Sequence, residues 1–269
     1  MQLLSIVQVQ QMLLELMVKV DKFLEEQNIP YYLLGGSALG AVRHEGFIPW
    51  DDDIDIGMLR ADYERFLSVA EQFDQEYEVV NLWNSRNSDF CLTRIYIPNT
   101  FVDIPEIRET KLDKRLYFDV FPLDNVPDDK TELAQYEKEI VKSKKTIARI
   151  DLRNNGNSFA ILLMKRLVSC CLKPFRGQIL RRTDALMTRY AEQETKCVCS
   201  LSSQYSFAKQ VMPREVYGTP KRHTFADHEF TVPEQTDRYL TILFGADYME
   251  IPPVHKRRAG HDIYLVDKK

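Results

Sequence analysis

The sequence predicts an α+β fold: a mixed sheet core flanked by helices, a mainly helical second half and a small C-terminal β segment. Three observations carry this. Short apolar or alternating runs bounded by Gly, Pro and polar residues crowd residues 1–127. Long stretches with apolar residues at helical spacing fill most of 128–200. Short apolar runs return over 203–232, broken by Pro213, Gly218 and Pro220. The expected division is a core over 1–127, a helical basic insert over 128–200 and a segment over 201–269 that packs back on the core.

In chain order, 3–27 reads as an amphipathic helix, with Leu13, Leu16, Met17, Val20 and Leu24 on one face. Asn28-Ile29-Pro30 ends it. Tyr31 to Leu34 suits a buried strand that runs into Gly35-Gly36-Ser37, with Ser37 expected to cap a helix from Ala38 to Arg43. An acidic strand over 53–58 and a helix over 60–73 follow. Strands are expected over 77–82, 90–97, 100–104 and 115–121, the last closed by Pro122. Helices are expected over 129–151, 158–172, 176–194 and 234–244, and a tail follows from 245.

Composition narrows the function classes. The net charge of −4 gives no basic field for nucleic acid. Five cysteines without a CxxC pair argue against a disulfide framework and fit a reducing cytoplasm. Cys197-x-Cys199 lacks a second ligand pair for zinc. No stretch is apolar enough to span a bilayer, so a soluble or peripheral protein is expected.

Asp51, Asp52, Asp53 and Asp55 stand among Phe47, Ile48, Trp50, Ile54 and Ile56. That much negative charge beside apolar neighbours requires a cation nearby or full exposure to water. On a strand, Asp53 and Asp55 share one face while Ile54 and Ile56 enter the core. Such a pair suits a hard divalent cation, and the plainer alternative is a solvated acidic turn. Asp51 shares the parity of Asp53 as a third ligand or a base; Asp52 is expected to point away. Asp119, between Phe118 and Val120, is either a third converging acid or half of a structural ion pair. The glycine turn aims N–H groups and a helix start at one point, a phosphate-binding geometry. Three acids, a metal and a phosphate turn together suggest phosphoryl or nucleotidyl transfer.

Other residues near this site divide between two readings. Arg43, followed by His44, suits a bidentate phosphate contact or a surface ion pair with Glu45 or an Asp. Trp50, Phe47, Tyr31 and Tyr117 suit either core packing or an aromatic wall for a quaternary ammonium. Arg257, Arg258 and His261 suit acceptor phosphates or a basic tail. Between Leu152 and Thr183 there is no acid, while Arg153, Lys165, Arg166, Lys173, Arg176, Arg181 and Arg182 are basic. That segment is either a core helix with a solvated edge or a basic amphipathic surface for an anionic membrane or a lipid pyrophosphate.

Gly35-Gly36-Ser37, Asp53-Ile54-Asp55 and a later strand Asp resemble the nucleotidyltransferase fold of the DNA polymerase β superfamily. The run from Gly35 to Met58, Phe118 to Pro127, and Phe244 to Met249 with Pro252-Pro253 are similar to the LicD-family phosphotransferases. The resemblance implies a nucleotidyltransferase-like sheet core. It implies transfer of phosphocholine from CDP-choline to a sugar hydroxyl of a lipid-linked glycan, with CMP released. In Gram-positive bacteria the acceptor would be a teichoic-acid precursor at the cytoplasmic face; other members act on lipopolysaccharide, and fukutin-related proteins transfer ribitol phosphate. It carries over Asp53, Asp55 and Asp119 as ligands of one or two Mg²⁺ ions, with Mn²⁺ as substitute. It carries over Gly36 and Ser37, in the turn opened by Gly35, as phosphate binders. The alternatives are an NMP-attaching nucleotidyltransferase and an inactive nucleotide-binding scaffold.

Overall fold

The computed structural model describes residues 1–84, 91–104, 113–150, 159–257 and 260–266, with the backbone alone for 159–162. The expected element ends at Phe90, Asp151 and Ser158, and the basic residues Arg153 and Arg258, lie outside these.

After β1 (Gln2–Leu3), helix α1 (Ile6–Glu26) opens on a capping box. Ser5 accepts from the Gln8 amide and Gln8 reaches back to the Ser5 amide, which satisfies two first-turn donors. Its inner face buries Val9, Leu13, Leu16, Met17, Val20 and Leu24. Next come β2 (Tyr32–Leu33), α2 (Gly35–His44), β3 (Asp55–Leu59), α3 (Arg60–Val69), β4 (Glu78–Val80), β5 (Thr93–Tyr96), β6 (Thr100–Asp103) and β7 (Tyr117–Asn125). The helical part comprises α4 (Lys130–Ile150), α5 (Phe159–Leu172) and α6 (Arg176–Met187). The chain ends with β8 (Cys197–Cys199), α7 (Phe207–Gln210), β9 (Val211–Pro213), α8 (Arg214–Tyr217), β10 (Lys221–Phe225), β11 (His228–Val232), α9 (Thr236–Phe244) and β12 (Asp262–Leu265).

The main sheet is mixed, in the order β2-β3-β7-β5-β4. Only β3 and β7 run parallel, and they place Asp55 beside Asp119. β8 extends the far end of β7 and pairs with β9. β10 and β11 form a hairpin, and β12 lies between β1 and β6 in a separate sheet. The larger core draws on α1, the main sheet, the hairpin and α9. A smaller core beneath α4 and α6 holds Tyr136, Ile140, Leu180 and Met187. All five cysteines are free thiols. Among the described residues no helix is long and apolar enough to cross a membrane.

The tail expected from 245 holds strand β12, and four further departures bear on the site or on element ends. Helix α2 begins at Gly35, not Ala38, and Ser37 does not cap it. Gly35 takes a left-handed φ of 49°, open to a residue without Cβ, and the Ser37 hydroxyl accepts from the Asp55 amide at 2.9 Å. The acidic strand begins at Asp55, so Asp51 to Asp53 form an irregular approach to it. Pro122 does not close its strand. Beyond Val120 the ladder with β5 has ended, so the missing N–H of Pro122 leaves no partner unpaired there. Helix α6 ends at Met187, not 194, because Asn125 takes the carbonyls of Tyr190, Ala191 and Gln193 at 3.1, 3.2 and 2.7 Å.

Candidate active site

The acids converge where α2 starts. Asp55 and Asp119 are direct neighbours on adjacent parallel strands. Ile54 and Ile56 are fully buried, so the alternation holds through the irregular approach and Asp53 stays on the side of Asp55. The carboxyls of Asp51 and Asp53 are close enough to act on each other's protonation. A Cβ placed on Gly36 would stand 2.7 Å from Asp51 Oδ2, so the bare glycine lets this carboxylate sit against the helix start. Gln10 of α1 holds the loop through the carbonyls of Ile48 and Asp51, at 3.1 and 2.9 Å.

The electrostatics follow from this crowding. Burial pushes Asp55 well above the usual carboxylate range; Asp53, Asp119 and Asp51 push the same way and Arg94 opposes them. Asp53 is an exposed residue, yet its carboxyl stands close to those of Asp51, Asp52 and Asp119. Burial and then Asp51, Asp52 and Asp119 raise it. Burial, helped by Asp52, lifts Asp51 to about 6. Burial raises Asp119 too, against the pull of Arg94. Asp52 behaves differently. Burial works to raise it, but hydrogen bonds from the His261 amide and ring, at 2.7 and 2.9 Å, hold it below the usual range.

Arg94 is the functional candidate that the sequence did not reveal. It pairs with Asp119 across the β5–β7 ladder, Nε to Oδ1 at 2.8 Å. Its guanidinium carbon lies 3.8 Å from the Tyr117 ring centroid. Asp119 is thus both an ion-pair partner and a member of the acidic group. The signal was weak, because only the strand register links Arg94 to Asp119.

The expected substrate-binding residues meet different fates. Gly35, Gly36 and Ser37 form the first turn of α2, and the Gly35 amide donates to the buried Tyr239 hydroxyl at 2.9 Å. The amides of Gly36 and Ser37 belong to the turn that a helix leaves without internal acceptors. Arg43 donates to the carbonyls of Tyr248 and Glu250, at 2.8 and 3.1 Å, and among the described residues it makes no ion pair with Glu45 or an Asp. His44 accepts from Arg43 Nε and meets Trp50 edge-on; burial, then Arg43, lowers its pKa. Trp50 carries Arg257 on its ring, 4.5 Å from the centroid. Phe47 packs on Phe225, and Tyr31 bonds Asp21 away from the acids. Cys197 and Cys199 lie on β8, at the smaller core.

The donor set is all oxygen, which suits a hard divalent cation, and the raised carboxylates mark a place where positive charge lowers the energy. Among the described residues no three Asp, Glu, His or Cys side chains are already closed into a coordination shell. Arg94 accounts for part of that, since it occupies Oδ1 of Asp119.

Residues 28–150 match the family model described as LicD/FKTN/FKRP, nucleotidyltransferase domain. Over these residues the chain is similar to the LicD family. It is 26% identical over 244 residues to the lipopolysaccharide cholinephosphotransferase LicD of Haemophilus influenzae, covering 88% of each chain. An uncharacterized protein of Rickettsia typhi is 44% identical over 63 residues, 23% of this chain and 20% of that one. The ribitol 5-phosphate transferase FKRP of Homo sapiens is 51% identical over 39 residues, 14% of this chain and 8% of its own length.

Proposed function

We propose that this protein is a LicD-type transferase that moves phosphocholine from CDP-choline to a sugar hydroxyl of a lipid-linked cell-surface glycan precursor, releasing CMP at the cytoplasmic face of the membrane. The observation that carries the reading is the Asp55–Asp119 pairing beside Asp53 and opposite the first turn of α2. The similarity to the Haemophilus enzyme over 88% of each chain supports the choline donor. A teichoic-acid precursor is the proposed acceptor, and lipopolysaccharide is the acceptor class named for that relative.

Asp53, Asp55 and Asp119 would hold Mg²⁺, or Mn²⁺ in its place. The ion would neutralise the diphosphate and stabilise charge as the phosphorus–oxygen bond to CMP breaks. The amides of Gly36 and Ser37 would donate to a phosphate oxygen, aided by the positive end of α2. Ser37 also fixes the strand start through the Asp55 amide. Arg94 positions Asp119. Asp51, set against Gly36, is the carboxylate proposed to accept the proton of the attacking hydroxyl. The short match to FKRP favours one second reading, with CDP-activated ribitol as donor.

The test is incubation with Mg²⁺, either CDP-choline or CDP-ribitol, and teichoic-acid or lipopolysaccharide acceptors. CMP release with a product heavier by phosphocholine is expected. A product heavier by CMP, with phosphocholine or ribitol phosphate released, would instead mark a nucleotidyltransferase. Asp53→Asn and Asp55→Asn should each lower turnover by about a thousandfold or more. Neither should lower the melting temperature, since each removes a repelled charge. Near-normal turnover in either variant would overturn the metal assignment.

A further inference from the structure

Helix α5 is apolar on the wrong side. Leu163, Met164, Leu167, Val168 and, just beyond the helix, Phe175 are 51, 61, 62, 40 and 57% exposed. At helical spacing Leu163, Leu167 and Cys171 trace one stripe, with Met164 and Val168 beside it. The opposite side faces the protein, where the buried Ser169 hydroxyl donates to the Ile150 carbonyl at 2.8 Å. None of the apolar residues from Leu163 to Leu172 takes part in either core. A face of this kind ordinarily marks an interaction surface.

The charge around the stripe says what covers it. Arg166 and Lys173, seven residues apart, run along one flank, and Arg181 and Arg182 are exposed on the following helix. No acid stands between Leu152 and Thr183, although the chain as a whole is net negative. A second copy docked face to face would bring these like charges together. A bilayer surface with anionic headgroups meets both demands: acyl chains accept the apolar stripe and phosphates accept the basic flank.

We propose that α5 and the turn through Phe175 form a membrane-docking surface that inserts its exposed side chains into an anionic bilayer. The proposal rests on this face alone and does not depend on the donor or acceptor. The test is flotation of the full chain with vesicles of phosphatidylglycerol and phosphatidylcholine in equal parts, and with phosphatidylcholine alone. Binding only to the anionic vesicles is expected, with release by molar salt. Leu167→Asp with Met164→Asp should weaken binding by about tenfold or more, because each loses an inserted apolar side chain. Arg181→Glu with Arg182→Glu should weaken it independently, and all four positions are exposed, so the melting temperature should hold. Failure to float with anionic vesicles would overturn the proposal, as would binding indifferent to both variants. So would a dimer in gel filtration that Leu167→Asp converts to monomer, since the face would then be a self-interface. CMP release with soluble acceptor reads the transferase assignment separately.

Discussion

Gly36 and Gly40 sit four residues apart on α2 and answer to different neighbours. A Cβ on Gly36 meets only the carboxylate of Asp51, which can rotate; a Cβ on Gly40 would stand 2.4 Å from the Gly46 carbonyl oxygen, which cannot. Gly36→Ala should therefore fold normally yet lower turnover by about tenfold, by displacing Asp51 from the helix start. Gly40→Ala should cost about 2–3 kcal/mol of stability through overpacking against backbone. Thermal melts and CMP release on both variants check the pair, and equal losses in both readouts would refute the separation. At this scale the acids were legible because carboxylates among isoleucines need a physical reason. Arg94 was not, because nothing in its own neighbourhood distinguishes it from any half-buried strand arginine; its meaning comes from a partner 25 positions on.

Helix α6 carries a second titration, remote from the acidic cluster. Burial pushes Asp184 up to about 6, with Arg60 opposing and Asp124 and Glu64 adding to it. The folded state thus holds a proton that the unfolded chain has released between pH 4 and 6. Stability falls as pH rises through that window, and the loss is complete above about 6. Asp184→Asn should be more stable than the parent by about 1–2 kcal/mol at pH 7, after allowing for solvent screening, and equal to it near pH 4. Urea melts at both pH values decide; a gain independent of pH would mean that the charge is not the cause. Helix bodies and strand cores followed from periodicity, which burial enforces directly. Their ends did not, because ends are set by distant polar groups. Asn125 stops α6, and the loss of the β5 ladder lets β7 run through Pro122.

The C-terminal part reaches the site from its last helix and from the stretch beyond residue 245, which the sequence presented as a basic tail. Tyr239 holds Gly35, the carbonyls of Tyr248 and Glu250 hold Arg43, Arg257 covers Trp50, and His261 holds Asp52. Strand β12 fixes the last of these by pairing with β1 on one side and β6 on the other, with Ile263 buried. Ile263-Tyr264-Leu265-Val266 has the composition of a strand, but its partners lie at residues 2–3 and 100–103, so no local pattern announces the pairing. This arrangement separates two effects. His261 is exposed, so His261→Ala should leave the melting temperature nearly unchanged while Asp52 loses the ring hydrogen bond, keeps that of the amide, and turnover falls a few-fold. Ile263→Ala removes buried apolar volume and should cost about 2 kcal/mol or more. If β12 is what keeps His261 on Asp52, fraying of that strand must carry the amide and the ring away together, and Ile263→Ala should lower turnover at least as much as His261→Ala. The double variant should then be no slower than Ile263→Ala alone, since fraying already removes the ring contact that His261→Ala deletes. Full turnover in a destabilised Ile263→Ala protein would show that the C-terminal strand stabilises the fold without shaping the acidic cleft.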